Sequence, residues 1–222
     1  MIAWLASFAF GQDIDFSSVV QDTFFREQFR GVVYVQRGDS LLLEYAAGTD
    51  MSGRTLDRHS YFQLGDVSKS FVGAAFGDLI VKGRINKTDP VTGQMRQLTD
   101  TALQKEGVAC NIEWLLSHQC GIPVRLPGSD SIEQNERFYD SLNRLRLRAI
   151  PGEAQRYSHA GYRLAGDLLT TIVKEDYSKY LQSNVWNDAD FAIEMSDAQK
   201  RRFAKAEFQV PFMWLGTNRW LN

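Results

Sequence analysis

The segment Gly65-Asp66-Val67-Ser68-Lys69-Ser70 places a carboxylate three residues before a lysine, at the start of a strongly apolar stretch. Residues three apart lie on one face of a helix, so these two side chains can form an ion pair. A helix start also offers backbone amides and the positive end of the helix dipole, which stabilise a negative charge. The Asp66 carboxylate is such a charge.

Two elements must position this segment. Two β-rich runs, Gly31–Gln36 and Leu41–Tyr45, flank Arg37-Gly38-Asp39-Ser40, which predicts a hairpin with a tight turn. From about Val67 to Lys82, two adjacent apolar stripes predict a helix buried in the body of the domain, and Gly83 predicts a left-handed cap at its end.

The rest of the sequence predicts further helices but no repeat, linker or low-complexity segment, so we expect one domain. Asn111 is the predicted cap of a short helix that begins at Ile112. The other helices are predicted over residues 15–29, 131–146, 161–175 and 177–186.

Composition excludes several classes of function. Of 222 residues, 44% are hydrophobic and 23% are charged, and the net charge of −2 offers no basic surplus for nucleic acid. No apolar run reaches the roughly 18 residues of a transmembrane helix. The apolar segment 1–14 is compatible with an export signal or with an ordinary buried N-terminal segment.

The cysteines and histidines predict neither a disulfide nor a metal site. Cys110 and Cys120 flank the short helix predicted from Ile112, whose rise of roughly 10 Å would hold them apart unless the chain folds back. We therefore expect two buried thiols. The three histidines lack paired ligand spacing, so no metal and no cofactor is expected: His59, His118 and His159.

Four segments in this order resemble the β-lactamase-related serine hydrolases, the family of class C β-lactamases, penicillin-binding proteins and D-alanyl-D-alanine carboxypeptidases. After the hairpin they are Phe62-Gln-Leu-Gly-Asp-Val-Ser-Lys-Ser-Phe71, Gly83-Arg-Ile-Asn-Lys-Thr-Asp-Pro-Val91, Ile112-Glu-Trp-Leu-Leu-Ser-His-Gln-Cys-Gly-Ile-Pro123 and Pro151-Gly-Glu-Ala-Gln-Arg-Tyr-Ser-His-Ala-Gly-Tyr162. The resemblance implies an α/β (α+β) fold of β-lactamase/transpeptidase type, with an antiparallel sheet packed against a helical subdomain. It assigns residues 15–207 to this domain, in part, and leaves 208–222 as a tail of uncertain structure.

The resemblance also implies roles for four residues. In the family's Ser-x-x-Lys motif, Lys69 matches the lysine and Asp66 occupies the place of the nucleophilic serine. Tyr157 matches the tyrosine of Tyr-x-Asn, which the family uses as a general base or proton relay. His159 stands where the family has an asparagine that holds the substrate's amide carbonyl, and imidazole could still donate one hydrogen bond there.

Three interpretations of Asp66 follow. It caps the helix and neutralises Lys69, or it acts itself as nucleophile or base, or Ser68 or Ser70 replaces the missing serine. On a helix, Ser68 is rotated roughly 200° from Asp66, whereas Ser70 lies on its side but deeper in the packed region. We favour the cap, and we expect His118 to fix its local turn rather than to catalyse.

These observations predict a serine-hydrolase-like domain with impaired catalysis, which retains a cleft for a small acyl, ester or peptide-like ligand. The alternatives are an active hydrolase that uses a substitute group, a non-catalytic interaction module and a truncated gene product. No match to the family's Lys-Thr-Gly strand precedes Asn222, so we expect an incomplete sheet whose exposed edge could pair with a partner chain. The resemblance favours a periplasmic or extracellular location.

Overall fold

The computed structural model describes Val20, residues 29–58, Ser60, Phe62 and residues 65–129 and 132–185. These residues fall into two compact units, one ending at Gln63 and one beginning at Leu64. The predicted segment 1–14, the helix predicted over residues 15–29 (apart from Val20 and Phe29) and the tail 208–222 lie outside the described residues. Whether the chain forms one domain, as the sequence suggests, stays a prediction.

The first unit contains the predicted hairpin. Strands β1 (Gly31–Arg37) and β2 (Ser40–Ala47) pair antiparallel, from Gly31 opposite Ala47 to Arg37 opposite Ser40. Gly38 forms the tight turn at φ +56°, a conformation that glycine adopts without steric cost. The hairpin is therefore confirmed. Among the described residues this sheet has only these two strands, and pairing of its edge with a partner chain stays a prediction.

The second unit is built around helix α1 (Ser68–Val81), which a short 3₁₀ turn, Gly65–Val67, precedes. Its core-facing side is fully buried and consists of Val72, Ala75, Phe76 and Leu79. At its end Gly83 takes φ +66°, its amide donates to Ile80 O at 2.9 Å, and the Arg84 amide donates to Leu79 O at 3.0 Å. These two bonds satisfy carbonyls that the helix leaves unpaired, as the predicted glycine cap requires.

The remaining elements belong to the same unit as α1. They are β3 (Gln104–Lys105) and β4 (Val108–Ala109), which pair with each other, and the helices α2 (Ile112–Leu116), α3 (Asn135–Asn143), α4 (His159–Val173) and α5 (Tyr177–Asn184). Helix α4 is the second central element, because α1, α2 and α5 all contact it. Its leucines at 164, 168 and 169 are fully buried, in agreement with the predicted amphipathic pattern. The mixture of helices and small antiparallel sheets agrees with the predicted α/β (α+β) class.

Helix α2 corrects one expectation about the cysteines. Asn111 caps this helix as predicted, and its side chain accepts from Trp114 N at 2.8 Å. However, Cys110 and Cys120 form a disulfide, with Cα atoms 5.2 Å apart, so the prediction of two free thiols is wrong. The helix has only five residues, and His118 (φ +62°) and Gly121 (φ +71°) then turn the chain back towards its start.

Within the described ranges, no helix is both long and apolar enough to cross a membrane.

Candidate functional site

Three chain segments bring the candidate site together. The 3₁₀ turn before α1 carries Asp66, the first turn of α1 carries Lys69, and the loop that leads into α4 carries Tyr157. Lys69 Nζ lies 3.0 Å from Asp66 Oδ1, and the Tyr157 hydroxyl donates to Asp66 Oδ2. The three residues, which the sequence analysis selected, lie up to 91 positions apart in the chain. The fold brings them together, and Asp66 contacts both of the others.

Asp66 does not cap the helix. The cap position of α1 is Val67, and no side chain makes a cap hydrogen bond there. The predicted cap is wrong because the 3₁₀ turn moves Asp66 out of the cap position, and its two oxygens face Lys69 and Tyr157 instead. The predicted neutralisation of Lys69 by Asp66 is confirmed by their ion pair.

The charge state of Asp66 follows from these contacts. Partial burial opposes ionisation, but hydrogen bonds from Tyr157 and then Lys69 outweigh it and lower the pKa of the carboxyl below its usual value of 3.8. The group is therefore a carboxylate at neutral pH. A carboxylate cannot donate a hydrogen bond, so Tyr157 must supply the proton that they share.

Tyr157 and Lys69 are perturbed in ways that bear on their chemistry. Burial, followed by the hydrogen bond to Asp66, raises the pKa of the Tyr157 phenol, which makes a phenolate base scarce at neutral pH. Burial lowers the pKa of Lys69, although Asp66 opposes this shift. Lys69 is only 7% exposed, and its Nζ lies 5.0 Å from the centre of the Tyr157 ring.

His159 begins helix α4 beside Lys69. Its Nδ1 lies 3.5 Å from Lys69 Nζ, and its ring packs edge-on against Tyr157 at 4.8 Å. An ammonium group can only donate, so in a neutral imidazole Nδ1 is the acceptor and Nε2 carries the hydrogen. The expectation that His159 holds a ligand carbonyl stays a prediction.

Ser158, between these two residues, holds the loop in place. Its buried hydroxyl donates to Pro123 O at 2.7 Å and accepts from Gly161 N at 2.8 Å, which makes it the N-cap of α4. Both interactions of the hydroxyl are structural. The cap fixes the direction in which Tyr157 and His159 leave the chain on either side of it.

The structure places two further residues beside the site: His118, for which the sequence predicted only a role in its local turn, and Tyr162, which sequence reasoning missed. His118 Nδ1 accepts from Ser158 N at 3.1 Å, and its ring lies 4.7 Å from the Tyr157 ring and 4.9 Å from the Tyr162 ring. The Tyr162 ring lies 5.6 Å from Lys69 Nζ, and its hydroxyl donates to Leu116 O at 2.8 Å. The only sequence signal for them was their presence in the resembling motifs.

The candidate replacement serines do not face Lys69. Ser68 and Ser70 are its chain neighbours on α1, so each is rotated from it by about 100° around the helix axis. The expectation that Ser70 lies in the packed region is wrong: Ser70 is exposed, because it is on the side of α1 opposite Leu79. The described residues contain no group of three or more side chains arranged to hold a metal ion.

Comparison with known proteins connects this arrangement to a family. The family model described as Beta-lactamase matches residues 16–207. Protein flp of Staphylococcus aureus is 28% identical over 129 residues, which cover 56% of this chain and 26% of flp. A beta-lactamase of Yersinia enterocolitica is 25% identical over 149 residues, which cover 67% of this chain and 37% of that protein.

Solved structures agree on the fold. The beta-lactamase/D-alanine carboxypeptidase of Pseudomonas syringae superposes on this chain with a TM-score of 0.68 at 17% identity. The matched region covers 85% of this chain and 53% of that structure's chain. The chain thus spans about half the length of that structure and well under half the length of the curated relatives it matches. The predicted β-lactamase/transpeptidase-like fold is confirmed.

Proposed function

Since this chain belongs to the beta-lactamase family, we propose that its site binds an acyl, ester or peptide-like ligand without forming an acyl-enzyme. The observation that carries the proposal is that the Asp66 carboxylate accepts hydrogen bonds from both Lys69 and Tyr157. The family resemblance assigns Asp66 to the nucleophile's position. The two groups that would activate a serine hydroxyl are therefore engaged by a side chain that has no proton to give up.

A carboxylate is a poor substitute for that hydroxyl. Carboxylates act as nucleophiles in glycosidases and in ATPases that form an aspartyl phosphate. Attack of Asp66 on an ester or amide carbonyl would instead produce an acid anhydride, a more reactive species than the ester consumed. Removal of a catalytic nucleophile typically lowers the rate by many powers of ten.

Ligand binding needs less than catalysis and remains compatible with the geometry. Tyr157 is 42% exposed, and the family resemblance gives His159 the place of a residue that donates to a ligand carbonyl. The backbone near these side chains is well fixed, because the His159 amide donates to Val124 O at 2.9 Å and Ser158 caps α4. A fixed donor beside an aromatic ring suits the carbonyl of a peptide or ester.

The disulfide adds a proposal about location. Disulfides persist in oxidising surroundings and are rare in the reducing cytosol of most cells. The Cys110–Cys120 bond therefore supports a periplasmic or extracellular site of action, which the family resemblance also favours.

A fluorescent penicillin tests whether the chain can be acylated. Purified protein is incubated with the reagent, and the intact mass is measured beside a catalytically active beta-lactamase treated in parallel. We expect no covalent mass increase for this chain. An adduct that maps to Ser68 or Ser70, and disappears when that serine is changed to alanine, would establish an active hydrolase with a substitute nucleophile.

A further inference from the structure

The outward-facing charge of the candidate site is negative. The Asp66 side chain is 58% exposed, whereas the Lys69 side chain is 9% exposed. The ammonium group therefore lies behind the carboxylate, and a molecule that arrives from solvent meets Asp66 first. This order decides which ligands the site can attract.

A second cluster on α1 shows that the carboxylate is not always the more exposed member of an aspartate–lysine pair. Asp78 contacts Lys82 Nζ at 2.8 Å and the Tyr180 hydroxyl at 2.6 Å, so it has the same three types of side chain. There the exposures are reversed, with Lys82 43% exposed and Asp78 22% exposed. The long lysine side chain reaches solvent in that cluster, as lysines commonly do.

The contacts of Lys69 explain why its charge stays inside. Its Nζ is surrounded by Asp66 Oδ1 at 3.0 Å, His159 Nδ1 at 3.5 Å and the rings of Tyr157 and Tyr162 at 5.0 and 5.6 Å. Carboxylates, imidazole nitrogens and aromatic faces all stabilise a cation. A ligand carboxylate that approached Lys69 would have to displace Asp66 and would be repelled by it.

The groups that remain accessible are those that recognise an ammonium ion. The exposed Asp66 carboxylate offers a charge-assisted acceptor, and the 42% exposed Tyr157 beside it offers part of an aromatic ring. Together they match a protonated amine.

We propose that this site selects ligands that carry a protonated primary amine, and that it discriminates against ligands with a free carboxylate at that place. The inference rests on the proposed ligand-binding function. It specifies the charge of the preferred ligand. An outermost lysine would favour an anionic ligand, whereas the outermost carboxylate of Asp66 favours a cationic one.

Three small dipeptide probes test this selectivity. They are D-alanyl-D-alanine amide with a protonated amine, its neutral N-acetyl derivative, and N-acetyl-D-alanyl-D-alanine with a free carboxylate. Dissociation constants are measured at neutral pH and low salt from the NMR shifts of the Ser158 and His159 amides. We expect the amine probe to bind about tenfold more tightly than the neutral one, and the carboxylate probe to bind most weakly.

Two single variants assign the effect to a residue. Asp66→Asn keeps the size of the side chain and removes its charge, and we expect it to abolish the preference for the amine. Asp78→Asn, the matched control on the same helix, should retain that preference.

Each outcome decides the matter. Equal or tighter binding of the carboxylate probe, or an amine preference that survives in Asp66→Asn, would overturn the selectivity while leaving ligand binding intact. If none of the probes shifts the site amides, the proposed ligand-binding function fails, and the selectivity fails with it.

Discussion

His118 connects the site to the loop beneath it through both its backbone and its ring. Its backbone has φ +62°, a conformation that side chains other than asparagine, aspartate and histidine rarely adopt. Its carbonyl accepts from Arg156 N at 2.8 Å, and its Nδ1 accepts from Ser158 N at 3.1 Å. One residue thus fixes the chain on both sides of Tyr157, which supports a positioning role rather than a catalytic one.

This histidine should make stability depend on pH. Burial, then the charge of Lys69 and that of His159 in its protonated form, lower the pKa of His118 below its usual value of 6.5, although Asp66 acts in the opposite sense. As pH falls through about 6.5, the unfolded chain takes up a proton that the folded chain resists. The free energy of unfolding contributed by this group is therefore full above that pH and decreases towards the lowered folded-state pKa.

The variant His118→Asn isolates this effect. Asparagine tolerates the positive φ, and its side-chain oxygen can replace Nδ1 as the acceptor for Ser158, but it does not titrate. In urea denaturation we expect the loss of stability between about pH 7.5 and pH 5.5 to be smaller than in the parent protein. Identical losses would show that His118 is not the responsible group.

A companion variant separates titration from hydrogen bonding. His118→Ala removes the acceptor and retains the strained φ, so at pH 7.5 it should be about 1–3 kcal/mol less stable than His118→Asn.

At the scale of elements, the close packing of the loop before α3 against that helix depends on one glycine. Gly128 has φ +85°, and a Cβ atom there would lie 2.6 Å from Phe138 N and 2.7 Å from Gln134 O. Both contacts are backbone atoms of α3 and the turn that leads into it, so no side chain can move aside. The loop and the helix therefore approach more closely than any other residue type would permit.

Two alanine variants measure the cost of this contact. Gly107, in the turn between β3 and β4, also has a positive φ (+80°), but a Cβ there would meet nothing within 4 Å. Gly107→Ala should lose about 1–2 kcal/mol of stability from the backbone conformation alone. Gly128→Ala should lose at least about 1–3 kcal/mol more, because the loop must also move away from α3. Equal losses in thermal or urea unfolding would contradict the predicted clash.

Across the whole molecule, the features that could be predicted from the sequence are those fixed by interactions between residues close together in the chain. The hairpin turn at Gly38, the cap at Asn111 and the left-handed end at Gly83 all depend on neighbours within a few residues, and all were predicted. The disulfide was not, because it depends on where α2 stops and how His118 and Gly121 reverse the chain. Helix propensity alone does not determine those features.

The same distinction applies to the site. The resemblance supplied Asp66, Lys69, Tyr157 and His159, and the structure places them together. The sequence did not reveal that Tyr162 lies beside Lys69, or that the carboxylate faces outward, because both depend on the packing of α1 against α4. The roles of these residues stay proposals until binding and acylation are measured.

The disulfide should contribute to the stability of the molecule as a whole. Closure of a loop between cysteines ten positions apart is worth about 3 kcal/mol in the chain-entropy estimate. The double variant Cys110→Ala/Cys120→Ala should therefore unfold at a lower urea concentration, and thiol titration of the denatured, unreduced parent should detect no free sulfhydryl. Two reactive thiols per chain would contradict the assignment of this bond.

The short span of that bond also affects the order of events during biosynthesis. Both cysteines leave the ribosome within ten residues of each other, well before α4 is synthesised. An oxidase that acts on the nascent chain could therefore form the disulfide first. The loop that carries Tyr157 would then pack against a turn that is already closed. If oxidation occurred only after the chain had left the ribosome and folded, the same bond would have to form between two cysteines that are already buried.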